Sequence, residues 1–269
     1  MRAGVRPRFF QSSNGVAVLM LDVPAYFERI GYRGAAAPAV GTLRLIHGAH
    51  LLTVPFENLD IGLGRRIECD EEAAVRKIVE RKRGGFCYEL NGAFAALLRA
   101  LGFQVTLLSA RAARANGGEG PEFDHLTLRV DLEEPWLADV GFGDSFLEPL
   151  RVTADLEQPE GPRIFRLVDD AGVWRLEMRE PGMAWKKQYS FTLRPRGLSE
   201  FAGMCRYHQT SPESHFTQKR ICTRATANGR VTLAEFRLIF TRDGQREEKV
   251  LGSEEERREA LREYFGVVL

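Results

Sequence analysis

The spacing of the apolar residues changes at Gly102, and that change limits the folds open to this chain. Before it, apolar side chains recur three and four residues apart: Tyr26, Phe27 and Ile30; Leu45, Ile46, Ala49 and Leu52; Ala74, Val75, Ile78 and Val79; Leu90, Phe94, Leu97, Leu98 and Leu101. Such spacing makes amphipathic helices. After it, apolar and polar residues alternate, most cleanly from His125 to Asp131, as in a strand with one face covered. Helices first and strands second describe an α+β chain, with the two kinds of element segregated.

Stop and start signals divide the chain further. Asp22 is placed to cap a first helix that ends at Gly31. Ala35–Pro38 reads as a linker, a second helix runs from about Thr42 to before Pro55, and Asp70 caps a third. Strands are expected at 103–109, 125–131, 136–140, 164–168, 173–178 and 188–193, with a hairpin at Asp169-Asp170-Ala171-Gly172. Many short strands with regular turns predict a small barrel or sandwich. A short helix around Leu198, Phe201 and Met204, strands at 230–233 and 235–240, and a helix capped by Ser253 and Glu256 form a mixed end. The expected divisions are an extension at 1–19, a helical unit at 20–102, a stranded unit at 103–195 and the mixed unit at 196–269.

Composition excludes several function classes. A formal net charge of +1 gives no field for nucleic acid or an anionic membrane. No stretch approaches the roughly 18 apolar residues of a spanning helix, and the first 19 residues make a poor secretory signal. Cys69, Cys87, Cys205 and Cys222 are widely spaced with no C-x-x-C pair, which predicts reduced thiols and a cytoplasmic location. His47 and His50 sit at i, i+3 with no third ligand in evidence, so a solvated or capping role is expected and no metal.

Chemistry concentrates in Lys82-Arg83-Gly84-Gly85-Phe86-Cys87-Tyr88-Glu89-Leu90-Asn91-Gly92-Ala93-Phe94. Two glycines permit a tight turn, and the helical stripe that follows puts Cys87 in a first turn. Free N–H groups and the positive dipole end there are expected to lower its pKa. The same features fit one more buried cysteine. A thiolate nucleophile needs a base, and the base needs an orienting partner. His125 begins a strand on its polar face; it could equally be a loop-end histidine. Asp139, in an otherwise apolar stretch, calls for a donor such as an imidazole, or simply caps its own turn. Arg83, Glu89 and Asn91 flank the nucleophile and are assigned to anchoring its loop and backbone rather than to catalysis.

Arg83-Gly84-Gly85-Phe86-Cys87-Tyr88-Glu89-Leu90-Asn91 resembles the signature of the arylamine N-acetyltransferases. Tyr26–Tyr32, Val54-Pro55-Phe56-Glu57-Asn58-Leu59, Phe123-Asp124-His125-Leu126, Ala138–Gly143 and Gln209–Phe216 resemble further markers of that family, in the same order. The resemblance implies a Cys87-His125-Asp139 triad in a cleft between a helical bundle and a β-barrel, with 196–269 as an α/β lid, an arrangement similar to cysteine proteases and transglutaminases. It implies ping-pong transfer of acetyl from acetyl-CoA, through a Cys87 thioester, to an arylamine, arylhydrazine or arylhydroxylamine, in cytoplasmic xenobiotic metabolism and without a metal. Phe56, Asp124 and Phe142 are the expected acceptor-site residues. Tyr207, Thr210, Ser211 and Ser214 are the expected coenzyme contacts, although Glu213 departs from the small polar residue of some members. Two other readings remain at this stage: an amide synthase closing a macrolactam with the same triad, and a non-catalytic small-molecule binding module.

Overall fold

The computed structural model describes residues 21–269; the expected extension at 1–19 and the start at Met20 lie outside the described residues. Helix α1 (Val23–Ile30) is capped by Asp22, whose carboxylate accepts the Ala25 N–H at 2.9 Å, and ends at Gly31 in the left-handed region. Helix α2 (Val40–Thr53) follows, then the two-residue strand β1 (Phe56–Glu57) and the short α3 (Leu59–Gly62). Asp70 caps α4 (Glu71–Val75), which widens into a π-helical segment, Arg76–Glu80. Helix α5 (Cys87–Ala100) is buried almost from end to end, with Leu90, Phe94, Leu97 and Leu98 inaccessible to solvent.

The inward face of α2 differs from the sequence expectation. Leu43, Ile46, His47 and His50 point in, while Leu45 is 61% exposed. Both histidines are buried rather than solvated, because each finds a polar partner: His50 Nε2 lies 3.1 Å from the Tyr26 hydroxyl, and His47 bonds at both ring nitrogens.

Eight antiparallel strands form the central sheet: β2 (Gln104–Ala112), β3 (His125–Asp131), β4 (Pro135–Ala138), β5 (Leu150–Arg151), β6 (Gln158–Glu160), β7 (Arg163–Asp170), β8 (Val173–Arg179) and β9 (Lys186–Arg196). Their order is β5-β4-β3-β2-β9-β8-β7-β6. The Gln158 side chain joins the two edges, bonding the Arg151 N–H and carbonyl at 2.8 and 3.1 Å, so the sheet is a nearly closed barrel. The strand expected through Val140 stops at Ala138, because Asp139 Oδ1 accepts the Gly141 N–H at 2.9 Å and turns the chain.

The mixed end holds a 3₁₀ turn (Leu198–Phe201), α6 (Ala202–Thr210), α7 (His215–Gln218), strands β10 (Ile221–Thr226), β11 (Gly229–Ala234), β12 (Arg237–Arg242) and β13 (Gln245–Val250), and α8 (Glu254–Phe265). Strands β10 and β13 escaped the sequence reading; β13 is exposed throughout and has no alternation to detect. The second sheet runs β1-β10-β11-β12-β13, so Phe56 and Glu57 stitch it to the helical part.

Candidate active site

The loop that delivers Cys87 is shaped by two close approaches. A Cβ on Gly84 would stand 1.9 Å from the Pro55 carbonyl oxygen, and one on Gly85 would meet the Glu89 side chain at 2.7 Å. Only glycine lets the backbone lie so near both. Glu89 Oε2 accepts the Phe86 N–H at 3.1 Å, and Oε1 pairs with Lys77 at 2.7 Å. The π-helical segment carries Lys77 inward, where it also meets Asp60 at 2.8 Å. Arg83 bonds Glu57 at 2.7 Å and Asp60 at 3.1 Å. Three carboxylates and two cations are thus buried beneath the loop, and burial pushes Glu89 up to about 7 despite Lys77.

Asp139 and His125 arrive from the barrel. His125 opens β3, presented by Phe123, whose backbone is left-handed at φ +68°. That conformation is held at both ends: the Phe123 N–H bonds Ser109 Oγ, and its carbonyl accepts the Tyr88 hydroxyl, each at 2.7 Å. The His125 ring bonds Asp139 through Nε2 at 2.6 Å, with both side chains buried. Burial alone would raise the Asp139 carboxyl. The His125 ring, with hydrogen bonds from Asn91 and the Gly141 N–H, outweighs it and holds the group below the ordinary carboxylate range.

Asn91 and His47 complete the frame, and sequence reasoning had placed neither in it. Asn91 Nδ2 donates to Asp139 Oδ1 at 2.8 Å and to the Leu126 carbonyl at 2.6 Å, while its Oδ1 accepts the Val140 N–H at 2.9 Å. His47 Nε2 accepts the Asp139 N–H at 3.0 Å and its Nδ1 faces the Leu147 carbonyl at 2.7 Å, which requires the neutral Nδ1–H tautomer. Burial brings its pKa down to about 4 and keeps it in that form. The i, i+4 relation of Cys87 and Asn91 was the available signal for Asn91; for His47 there was none.

Cys87 is 3% exposed, and the Leu126 main chain, next after His125, favours its charged form. Gly141 closes on it from the other side, since a Cβ there would stand 2.8 Å from the Cys87 Cα. The expected lowering of the thiol pKa does not hold for Cys87 by itself. Burial raises it well above the ordinary thiol value, the Leu126 main chain works against that, and Asp139 and Asp124 add to the rise. The helix N-terminus already has its own carboxylate, Glu89, in the first turn.

Phe142 lies edge-on to the His125 ring, centroids 5.2 Å apart, and Phe56 packs under Gly143. Phe216, which the sequence reading gave no role, stands 6.1 Å from Phe56 and extends the same aromatic wall. Asp124 is turned toward His208, 3.4 Å away. Among the expected coenzyme contacts, Ser214 is buried, caps α7 through the Phe216 N–H and bonds His208 at 3.2 Å. Thr210 bonds back to the Arg206 carbonyl and is exposed; Tyr207 and Ser211 are half-buried.

Residues 39–269 match the pattern of the N-acetyltransferase family. The arylamine N-acetyltransferase of Escherichia coli is 37% identical over 222 residues, covering 81% of this chain and 79% of the relative. The structure of the arylamine N-acetyltransferase from Salmonella typhimurium superposes with a TM-score of 0.85 at 33% identity, covering 91% of this chain and 90% of that one. That of Mycobacterium marinum, solved in complex with CoA, gives 0.84 at 30% identity, covering 91% and 93%. With a family match over most of its length and relatives above 30% identity, this chain belongs to the arylamine N-acetyltransferase family.

Proposed function

We propose that the protein transfers an acetyl group from acetyl-CoA to the nitrogen of an arylamine, arylhydrazine or arylhydroxylamine through a thioester on Cys87. The observation that carries the reading is the Nε2 bond of His125 to Asp139, a carboxylate that Asn91 ties to the helix carrying Cys87. With Nε2–H committed to Asp139, Nδ1 is the nitrogen left to take the thiol proton. A buried thiol with a raised pKa does not ionise alone; it ionises by handing its proton to a ring whose positive charge Asp139 stabilises.

The Cys87 thiolate attacks the acetyl carbonyl, the bond to the coenzyme sulfur breaks, and coenzyme A leaves with a proton. The amine then attacks the thioester, His125 takes the amine proton as the C–N bond forms, and Cys87 is released. Phe56, Phe142 and Phe216 offer flat apolar surface to an aryl group, with Asp124 at the edge of that site. Tyr207, Thr210 and Ser211 are the coenzyme-facing positions, with Ser214 supporting them from inside. Residues 196–269 act as the lid over a cleft between the helical unit at 20–102 and the barrel at 103–195. Acetyl-CoA alone should leave an acetyl adduct on Cys87, visible by mass spectrometry and discharged by an aromatic amine. An unmodified Cys87, or an adduct that no amine discharges, overturns the reading.

A further inference from the structure

His208 is a buried histidine for which the proposed chemistry has no use. It lies on α6 at 3% exposure, where three other segments of the site meet it. The Tyr88 ring, from the residue after Cys87, is stacked on it with centroids 6.2 Å apart, and the Phe216 ring stands edge-on at 5.1 Å. Its Nδ1 lies 3.2 Å from Ser214 Oγ. Its Nε2 lies 3.4 Å from both the carbonyl and the carboxylate of Asp124, the residue before His125.

The partners set the direction of each bond. Nε2 faces two acceptors, so it carries the hydrogen and donates. Ser214 Oγ already accepts the Phe216 N–H, so its own hydrogen is free for Nδ1. A flat ring with an acceptor on one edge and a donor on the other thus joins the segment proposed to face the coenzyme to the start of β3. Leucine fills much the same space and offers neither bond.

The turn that His208 reaches is one that needs holding. Phe123 sits at φ +68°, a region that bulky side chains rarely enter. The Tyr88 hydroxyl donates to the Phe123 carbonyl at 2.7 Å and reaches the Asp124 carbonyl at 3.3 Å. Tyr88 ties this turn to the helix of Cys87, and His208 ties the same turn to α6.

We infer that His208 is a positioning residue for acetyl transfer: by holding Asp124 it keeps the His125 ring in line with Cys87. The inference rests on the Cys87-His125-Asp139 reading and adds to it a support that comes from the lid. Asp139 orients the ring at Nε2, while His208 and Tyr88 fix where the strand that carries the ring begins. Without the donor at position 208 the Phe123–Asp124 turn relaxes, and Nδ1 of His125 moves out of line with the thiol.

Iodoacetamide labelling at neutral pH tests this on the whole protein without acetyl-CoA. In the wild type, Cys87 should be alkylated faster than Cys69, Cys205 and Cys222. His208→Leu should slow the alkylation of Cys87 by roughly tenfold. His208→Phe keeps a ring between Tyr88 and Phe216 but loses both bonds, so it should slow as His208→Leu does. His208→Gln, whose amide nitrogen reaches the place of Nε2, should restore most of the rate. In acetyl transfer, kcat of the Leu and Phe variants should fall by a similar factor while the KM for acetyl-CoA stays nearly unchanged. Wild-type alkylation of Cys87 in the Leu and Phe variants overturns the inference and leaves the triad reading standing. Equal slowing in the Gln variant overturns the role of the Asp124 bond. A wild-type Cys87 no faster than the other thiols overturns the triad reading, and the inference with it.

Discussion

Asn91 and Asp139 are joined by a 2.8 Å hydrogen bond, and Asn91 stands one turn after Cys87 on the same helix. The barrel carboxylate is therefore registered directly to the helix that carries the thiol. Asn91 uses its oxygen for Val140 and its nitrogen for both Asp139 and Leu126, so one amide bonds three polar groups.

Asn91→Leu, close in volume, removes all three of these bonds, while Asp139 keeps those to Gly141 and His125. The expected cost is about 3 kcal/mol of stability, read as a lowered urea midpoint. Turnover should fall by roughly 10- to 100-fold, because Asp139 no longer holds His125 in line. The KM for acetyl-CoA should be nearly unchanged; a variant that loses coenzyme affinity and keeps kcat would contradict the positioning role.

Gly141→Ala tests the fit between barrel and helix. The new Cβ would lie 2.7 Å from Asn91 Nδ2 and 2.8 Å from the Cys87 Cα, and neither the Asn91 side chain nor the Cys87 backbone can yield without moving the site. Overpacking of this kind costs about 1–3 kcal/mol, and a displacement near 1 Å at the reacting atoms costs roughly 100-fold in rate. Wild-type turnover in Gly141→Ala would show that the two units are not held in close register.

Lys77→Met removes one of two cations that face three buried carboxylates. Breaking a buried pair in this way costs about 3–5 kcal/mol. Adding Glu89→Gln brings the excess back to one carboxylate, as in the wild type, and should recover part of the loss. Chemical denaturation of the single and double variants checks the prediction, and an unimproved double variant would contradict it.

His47 makes stability depend on pH with a definite sign. Its pKa is about 4 in the fold, against about 6.5 in an unfolded chain. The unfolded state therefore binds the extra proton first. The contribution is complete above pH 6.5 and is lost as the pH falls toward 4, by about 3 kcal/mol in all. Denaturation midpoints of the wild type and His47→Gln should converge as the pH is lowered across that window. Parallel curves would mean that the ring is protonated in the fold.

The sequence by itself determined the order of helices and strands and the loop that ends at Cys87. Those are local matters of apolar period, capping and turn chemistry, repeated in a series of family markers. It placed Leu45 on the buried face of α2 and left His47 and His50 outside, because periodicity cannot tell a histidine with a waiting carbonyl from a solvated one. It also gave Cys87 a lowered pKa from the helix end alone. Only the tertiary structure decided that point, by burying the sulfur and placing Asp139 and Asp124 near it. The same holds for Asn91 and the Lys77 network. Their partners lie on distant segments, and long-range polar pairing leaves no period in the chain.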